Sequence, residues 1–423
     1  MNRDPGGLSN PAFVRHARRL CAISLLVATA TLAGCVTPPP PPKTVRPAPP
    51  PTPPQTLATH PLTGEEPGFL RLGNIPPKTV PVRIGILLPF SSGSAATHQL
   101  AASMMKSAEM ALFDSGKRDI VLMSADEGSG GAEAAVGARK LLAQGAEIIV
   151  GPLFAQSVSA VAPLARDHAV PVIAFSTDRA VGGDGVYLLS FQPENQVRRI
   201  VSYAVEQGHG GFAALVPRTA YGTRVAEAFR QSVAAAGARV ADLETFVPEE
   251  GEIAAPTQAV VTARPDAILI AQGGALLRSL ATTLAADGEG SQQVQYLGTG
   301  LWDEPATAGE PDLAGAWFAA PDPEAERAFA DRYHATYGGD APPLAALAYD
   351  AVSLVSLLSS GPAYHRFTPE ALTDPNGFSG IDGIFRFGAD GSSERGLAIL
   401  KVEPGSGFAI VSPAPRTFQA PGT

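Results

Sequence analysis

Val82-Arg83-Ile84-Gly85-Ile86-Leu87-Leu88 runs straight into Pro89-Phe90-Ser91-Ser92-Gly93-Ser94. Seven residues with a single charge read as a strand buried on both faces, because a half-exposed strand would alternate apolar and polar positions. A strand buried on both faces belongs in a parallel sheet, whose neighbours are joined by crossover helices. A helical stretch at about 97–114 follows, as that argument requires.

The alternation continues outward from this point. Strands are expected at 120–123, 148–150, 172–175 and 186–189, with helices at about 132–144 and 156–167 between them. The pattern then restarts. Helices are expected near 196–207, 223–236 and 275–286, and strands at 212–216, 240–246, 267–271 and 294–297. Two further helices fit 324–337 and 344–358. The end of the chain (383–387, 397–402 and 408–411) reads as β with turns at Asp390-Gly391 and Pro404-Gly405. The expected class is α/β, with two lobes of similar size and parallel sheets.

Composition agrees with a large buried core. Of 423 residues, 45% are hydrophobic and 17% charged, which excludes a wholly disordered chain. The net charge of -9 argues against nucleic acid as a partner, since phosphate binding needs clustered Lys and Arg. Two Cys exclude a disulfide framework and a Cys-based zinc site.

The N-terminus reads as an address. Arg15, Arg18 and Arg19 precede an uncharged, mostly apolar run from Leu20 to Ala33, too short to span a bilayer as a helix. The run ends in Leu32-Ala33-Gly34-Cys35, which resembles a bacterial lipobox. Residues 1–34 are then a signal peptide, and Cys35 is the lipidated first residue of the mature chain. Cleavage removes four Arg and one Asp, so the charge moves from -9 to -12. From Pro38 to Pro54, 11 of 17 residues are Pro. Such a segment adopts extended polyproline II and spans roughly 50 Å. Residues 35–80 are therefore expected to be a stiff tether without regular secondary structure. Val36, rather than Asp, follows Cys35, which by the general sorting rule sends the anchor to the outer membrane.

Open α/β sheets bind ligands beyond the carboxyl ends of their strands. The segments there are small and polar: Ser91 after the first strand, Phe154 and Gln156 after the third, and Ser176 and Thr177 after the fourth. Tyr221 and Trp302 follow strands of the second lobe. Each hydroxyl alone is explained as a helix N-cap. Together, with bare backbone N–H groups at helix N-termini, they suit a small anionic or zwitterionic ligand. Enzyme signatures are missing: there is no Gly-x-x-x-x-Gly-Lys loop, His-Glu-x-x-His pair or Gly-x-Ser-x-Gly elbow. No catalytic residue, metal or cofactor is expected.

Ile84-Gly85-Ile86-Leu87-Leu88-Pro89, Gly151-Pro152-Leu153, Pro171-Val172-Ile173-Ala174-Phe175-Ser176, Ala220-Tyr221-Gly222 and Gly380-Ile381-Asp382-Gly383-Ile384-Phe385-Arg386-Phe387 resemble type I periplasmic binding proteins of the leucine-binding group. The resemblance covers about 81–412. It implies two Rossmann-like lobes joined by three crossovers, near 191–194, 319–321 and 378–383. Lobe 1 is then about 81–191 and 320–378, and lobe 2 about 192–319 and 379–412.

Within that group the chain is similar to the lipoproteins called penicillin-binding-protein activators, in particular at Gly298-Thr299-Gly300-Leu301-Trp302-Asp303 and Ala316-Trp317-Phe318-Ala319-Ala320-Pro321. That likeness implies a membrane-anchored partner of a peptidoglycan synthase; the alternative is a receptor passing an amino-acid-like solute to an ABC permease. The best-known activators carry a helical-repeat domain where this chain has its Pro-rich tether. The chain also departs from amino-acid receptors. Ala155 stands where those receptors commonly place a hydroxyl for the ligand carboxylate, and Asp178 stands where Thr is frequent. A carboxylate at Asp178 would repel a ligand carboxylate.

Overall fold

The computed structural model describes residues 69–73 and 78–418, apart from Gly93, Glu289, Gln292, Tyr364, Pro404 and Ser406. The expected signal peptide, lipidation site and Pro-rich run lie outside the described residues. The described chain opens with β1 (Phe69–Arg71), β2 (Val82–Leu88), α1 (Ala95–Ser115), β3 (Ile120–Asp126), α2 (Gly131–Ala143), β4 (Ile148–Val150), α3 (Ala155–Asp167), β5 (Val172–Ala174) and β6 (Val186–Leu188). It continues with α4 (Pro193–Glu206), β7 (Gly211–Pro217), α5 (Ala220–Ala235), β8 (Arg239–Phe246), α6 (Ala254–Thr262), β9 (Ala267–Ile270), α7 (Gly274–Ala286), β10 (Gln295–Gly298), α8 (Pro305–Ala308) and β11 (Trp317–Ala320). The last elements are α9 (Pro323–Tyr337), α10 (Ala345–Leu358), α11 (Pro369–Leu372), β12 (Phe378–Gly380), β13 (Gly383–Phe387), β14 (Ser393–Arg395), β15 (Ala398–Glu403) and β16 (Gly407–Ser412).

The first sheet has the order β1-β3-β2-β4-β5-β6. From β3 to β6 every pairing is parallel. The period-2 geometry of β2 explains why the strand is apolar apart from Arg83. Val82, Ile84, Ile86 and Leu88 enter one core with α1 and α10, while Leu87 enters the other with α2 and α3. The strand thus needs apolar residues on both sides. β1 is antiparallel to β3, with Phe69 opposite Met123, so the region expected to be pure tether already contributes an edge strand.

The second sheet has the order β16-β15-β11-β10-β9-β7-β8. β7 to β11 are parallel neighbours, and β15 and β16 add antiparallel to the edge. Phe212, Ala214 and Val216 of β7 pack towards α4 and α5, while Ala213 and Leu215 pack towards α6 and α7. α6 was not expected from the sequence.

Chain crossings between the sheets occur at β6–α4, β11–α9 and β14–β15. The expectation of a third crossover near 378–383 is corrected. β12, β13 and β14 form their own small antiparallel sheet. Phe378, Phe385 and Phe387 pack into the first lobe's core, with the Phe387 ring 5.4 Å from that of Tyr187. The chain passes to the second sheet only where β15 pairs with β11. No helix among the described residues is long and apolar enough to cross a membrane.

Candidate functional site

A cavity of about 630 Å³ lies between the lobes, beyond the carboxyl ends of β5, β6 and β10. The first lobe contributes Phe175, Thr177 and Asp178 after β5, and Ser190 and Phe191 after β6. Its later segments add Glu326 in the first turn of α9, Leu344 and Leu347 at the start of α10, and Asp382 from the β12–β13 turn. The second lobe contributes Gln196 from α4, Tyr221 and Arg224 from α5, and Gly300, Leu301 and Asp303 after β10.

Of the residues expected to bind a ligand, Thr177 and Tyr221 line this cavity, and so does Asp178, the acid noted in the sequence. Tyr221 Oη is 2.7 Å from Thr299 Oγ1, and burial pushes its hydroxyl up to about 12. Ser176 sits just behind the wall; its Oγ accepts the Asp178 N–H at 3.1 Å and sets the direction of that loop. Trp302 is fully buried and donates from Nε1 to the Gln272 carbonyl at 2.9 Å, while its neighbour Leu301 faces the cavity. Trp302 is therefore packing beneath the wall. Ser91, Phe154 and Gln156 are not among the cavity's lining residues. Ser91 N–H donates to Asp126 Oδ1 at 3.1 Å, and Gln156 Nε2 donates to the Ser129 carbonyl at 3.1 Å.

Several of the amides expected to be bare have internal acceptors. Glu127 is fully buried, and its two oxygens accept from Leu153 N–H at 2.8 Å and Phe154 N–H at 2.9 Å, at the start of α3. Glu304 accepts from Gly274 N–H at 2.7 Å at the start of α7. Thr219 accepts from Gly222 N–H, and Gln196 Oε1 from Gly300 N–H, both at 3.1 Å. This loop layout needs close backbone approach. Gly151 has φ +97°, and a Cβ there would run into the Leu87 carbonyl.

Sequence reasoning noted the Asp178 carboxylate but missed the other three acids of the site. Asp303 keeps contact with water, yet the cleft walls desolvate its carboxyl and the Glu326 carboxylate repels it, raising it to about 6. Burial also raises Glu326. Asp382 is 2% exposed, and burial, reinforced by the Asp350 carboxylate, drives it strongly upward. Arg395 opposes that rise. Its Nη1 lies 3.7 Å from Asp350 Oδ2, and its guanidinium stacks 4.9 Å from the Phe191 ring and 5.4 Å from Phe385. Asp350 Oδ1 also accepts from Ile381 N–H at 2.7 Å, and a Cβ on Gly380 would collide with this carboxylate. Arg224 donates from Nε and Nη2 to the two oxygens of Glu194 at 2.9 and 2.7 Å. The Gly380-Ile381-Asp382-Gly383 turn was visible in the sequence, but nothing marked its Asp as facing a cavity. Glu326 reads there as an ordinary first-turn helix acid.

Comparison with known proteins fits this geometry. A protein from Rhodospirillum rubrum, provisionally assigned as a branched-chain amino acid ABC transporter, superimposes with a TM-score of 0.71 at 19% identity, covering 78% of this chain and 100% of that one. The branched-chain amino acid transporter substrate-binding protein LivJ from Streptococcus pneumoniae, in complex with isoleucine, gives 0.54 at 22% identity, covering 79% and 100%. A curated relative, the uncharacterized protein RP748 of Rickettsia prowazekii, is 27% identical over 146 residues. That match spans 34% of this chain and only 38% of the relative's length. The solved structures share the two-lobed α/β fold, and the family described as periplasmic binding protein matches residues 81–406. The chain therefore belongs to the periplasmic binding protein family, with its type I fold.

Proposed function

We propose that this chain is a non-catalytic, lipid-anchored binding protein facing the periplasm, whose cleft captures a small polar solute and whose ligand state is read by a penicillin-binding protein. The observation that carries the binding half is the cavity of about 630 Å³, lined by both lobes at the carboxyl ends of their strands. Its size falls in the range of small-molecule sites, and its walls combine apolar surface with a few convergent polar groups. The partner half rests on the sequence. Lipidation at Cys35, the Pro-rich run of 38–54 and Val36 describe a domain held off an outer membrane, facing the cell wall and its synthases.

A second reading is a receptor that hands its solute to an ABC permease. The chain's likeness to an ABC transporter protein and to a transporter substrate-binding protein favours it. An inner-membrane anchor would favour it further.

A thermal-shift panel on the full-length protein in detergent tests the binding half, using amino acids, amines and peptidoglycan fragments. A solute at 100 times its Kd adds about 2.7 kcal/mol, enough to move the midpoint by a few degrees. No shift across the panel contradicts a solute-binding cleft. Co-purification with penicillin-binding proteins, against co-purification with a permease, separates the two readings.

A further inference from the structure

The polar groups of the cleft are a poor match for a solute bearing a carboxylate. The Gly300 N–H on the cavity wall already donates to Gln196 Oε1, also on the wall. Arg224, the one cation among the described residues lining the cavity, is engaged on two nitrogens by Glu194. Four carboxyl groups line the same space: Asp178, Asp303, Glu326 and Asp382.

Asp382 is the informative one. It is 2% exposed, and its Oδ2 has no hydrogen-bond partner among the described residues. Arg395 behind it is paired with Asp350, so one guanidinium stands against two buried carboxyls. A buried carboxylate without a partner is costly unless positive charge is brought to it. No three His, Cys, Asp or Glu side chains among the described residues gather as a metal site would require. The acids are instead spread along a cleft whose other walls include Phe175, Phe191, Leu301 and Leu344.

We propose that the cleft takes an organic ammonium ligand of the diamine class, with an apolar body and no carboxylate, its ammonium groups answering Asp382 and Asp303. The inference rests on the reading of the cleft as a solute site. It commits that site to cations.

Isothermal titration of the full-length protein in detergent, with 1,5-diaminopentane and with leucine, tests it. The diamine binds at one site, and leucine binds at least about tenfold more weakly, since it brings a carboxylate to an acidic cleft. Asp382→Asn and Asp303→Asn each weaken the diamine by about tenfold, the scale of one charge-assisted hydrogen bond. Both substitutions are close in shape and replace carboxyls whose ionised form burial disfavours, so cooperative melting is retained. Leucine binding more tightly than the diamine overturns the inference and leaves the solute-site reading standing. Diamine binding that survives both substitutions also overturns it, as association elsewhere on an acidic surface. Absence of diamine binding overturns it too, and the thermal panel then decides separately whether the cleft takes any solute.

Discussion

Glu127 Oε1 accepts a hydrogen bond from the backbone N–H of Phe154 at 2.9 Å, placing a buried carboxylate of the chain at the head of α3. Helix starts attract anions because their amides are unpaired and the helix dipole is positive there. In this protein the anion is built in. Glu127→Ala should cost about 2 kcal/mol by leaving two partly buried amides unpaired. Added formate should restore part of that loss. Chemical denaturation with and without formate reads both effects, and a variant indifferent to formate would contradict the assignment.

Asp303 carries a pH signature. The cleft walls and Glu326 raise its carboxyl from 3.8 to about 6, so the folded protein binds this proton more tightly than the unfolded chain does. Its contribution to stability is therefore favourable only at acid pH and is lost as pH rises from about 4 to 6. Asp178, Glu326, Asp382 and Arg224 line the same cavity and share the field. Asp303→Asn should raise the melting midpoint of the ligand-free protein at pH 7.5 and leave it unchanged near pH 4. A midpoint that falls at pH 7.5 would count against a desolvated carboxylate.

Arg395 tests the buried charges from the other side. Arg395→Met leaves Asp350 and Asp382 without their guanidinium and should cost about 3 kcal/mol at neutral pH, the scale of breaking a buried pair. Burial raises both carboxyls, so protonation shrinks that cost as the pH falls. Glu326 and Asp303 face the same cluster and strengthen this trend. Urea denaturation at pH 7.5 and pH 5 measures it; an equal cost at both would contradict the pairing.

Trp302 and Tyr221 should separate packing from binding. Trp302→Phe loses buried area and the Gln272 hydrogen bond, costing about 2 kcal/mol, with solute affinity little changed. Tyr221→Ala, on the cavity wall, should weaken solute binding while the domain still folds. Melting and titration on the two variants decide it, and the reverse pattern would move the site to the other side of Leu301.

These contrasts show where the sequence was legible. The apolar run of β2 reports burial on two faces directly, because Ile84 and Ile86 go one way and Leu87 the other. The β/α alternation follows from the same periodicity. What a side chain faces is not written locally. Phe385 reads equally well in either lobe, and only its packing against the first lobe's core moves the third crossover to 395–398. Trp302 after a strand looks the same whether it stacks on a ligand or fills a core. α6 escaped because Pro256 and the acidic residues at 249–252 mark its start as a turn. Glu127 escaped because β3 runs three residues further than its apolar core suggests, to Asp126.

The most direct test of the account is a crystal structure of the protein grown with 1,5-diaminopentane. The diamine should lie between the lobes, with one ammonium nitrogen within hydrogen-bonding distance of Asp382 Oδ2 and its chain along Phe191 and Leu301. A cleft without diamine, or diamine bound only to carboxylates on the outer surface, would contradict it.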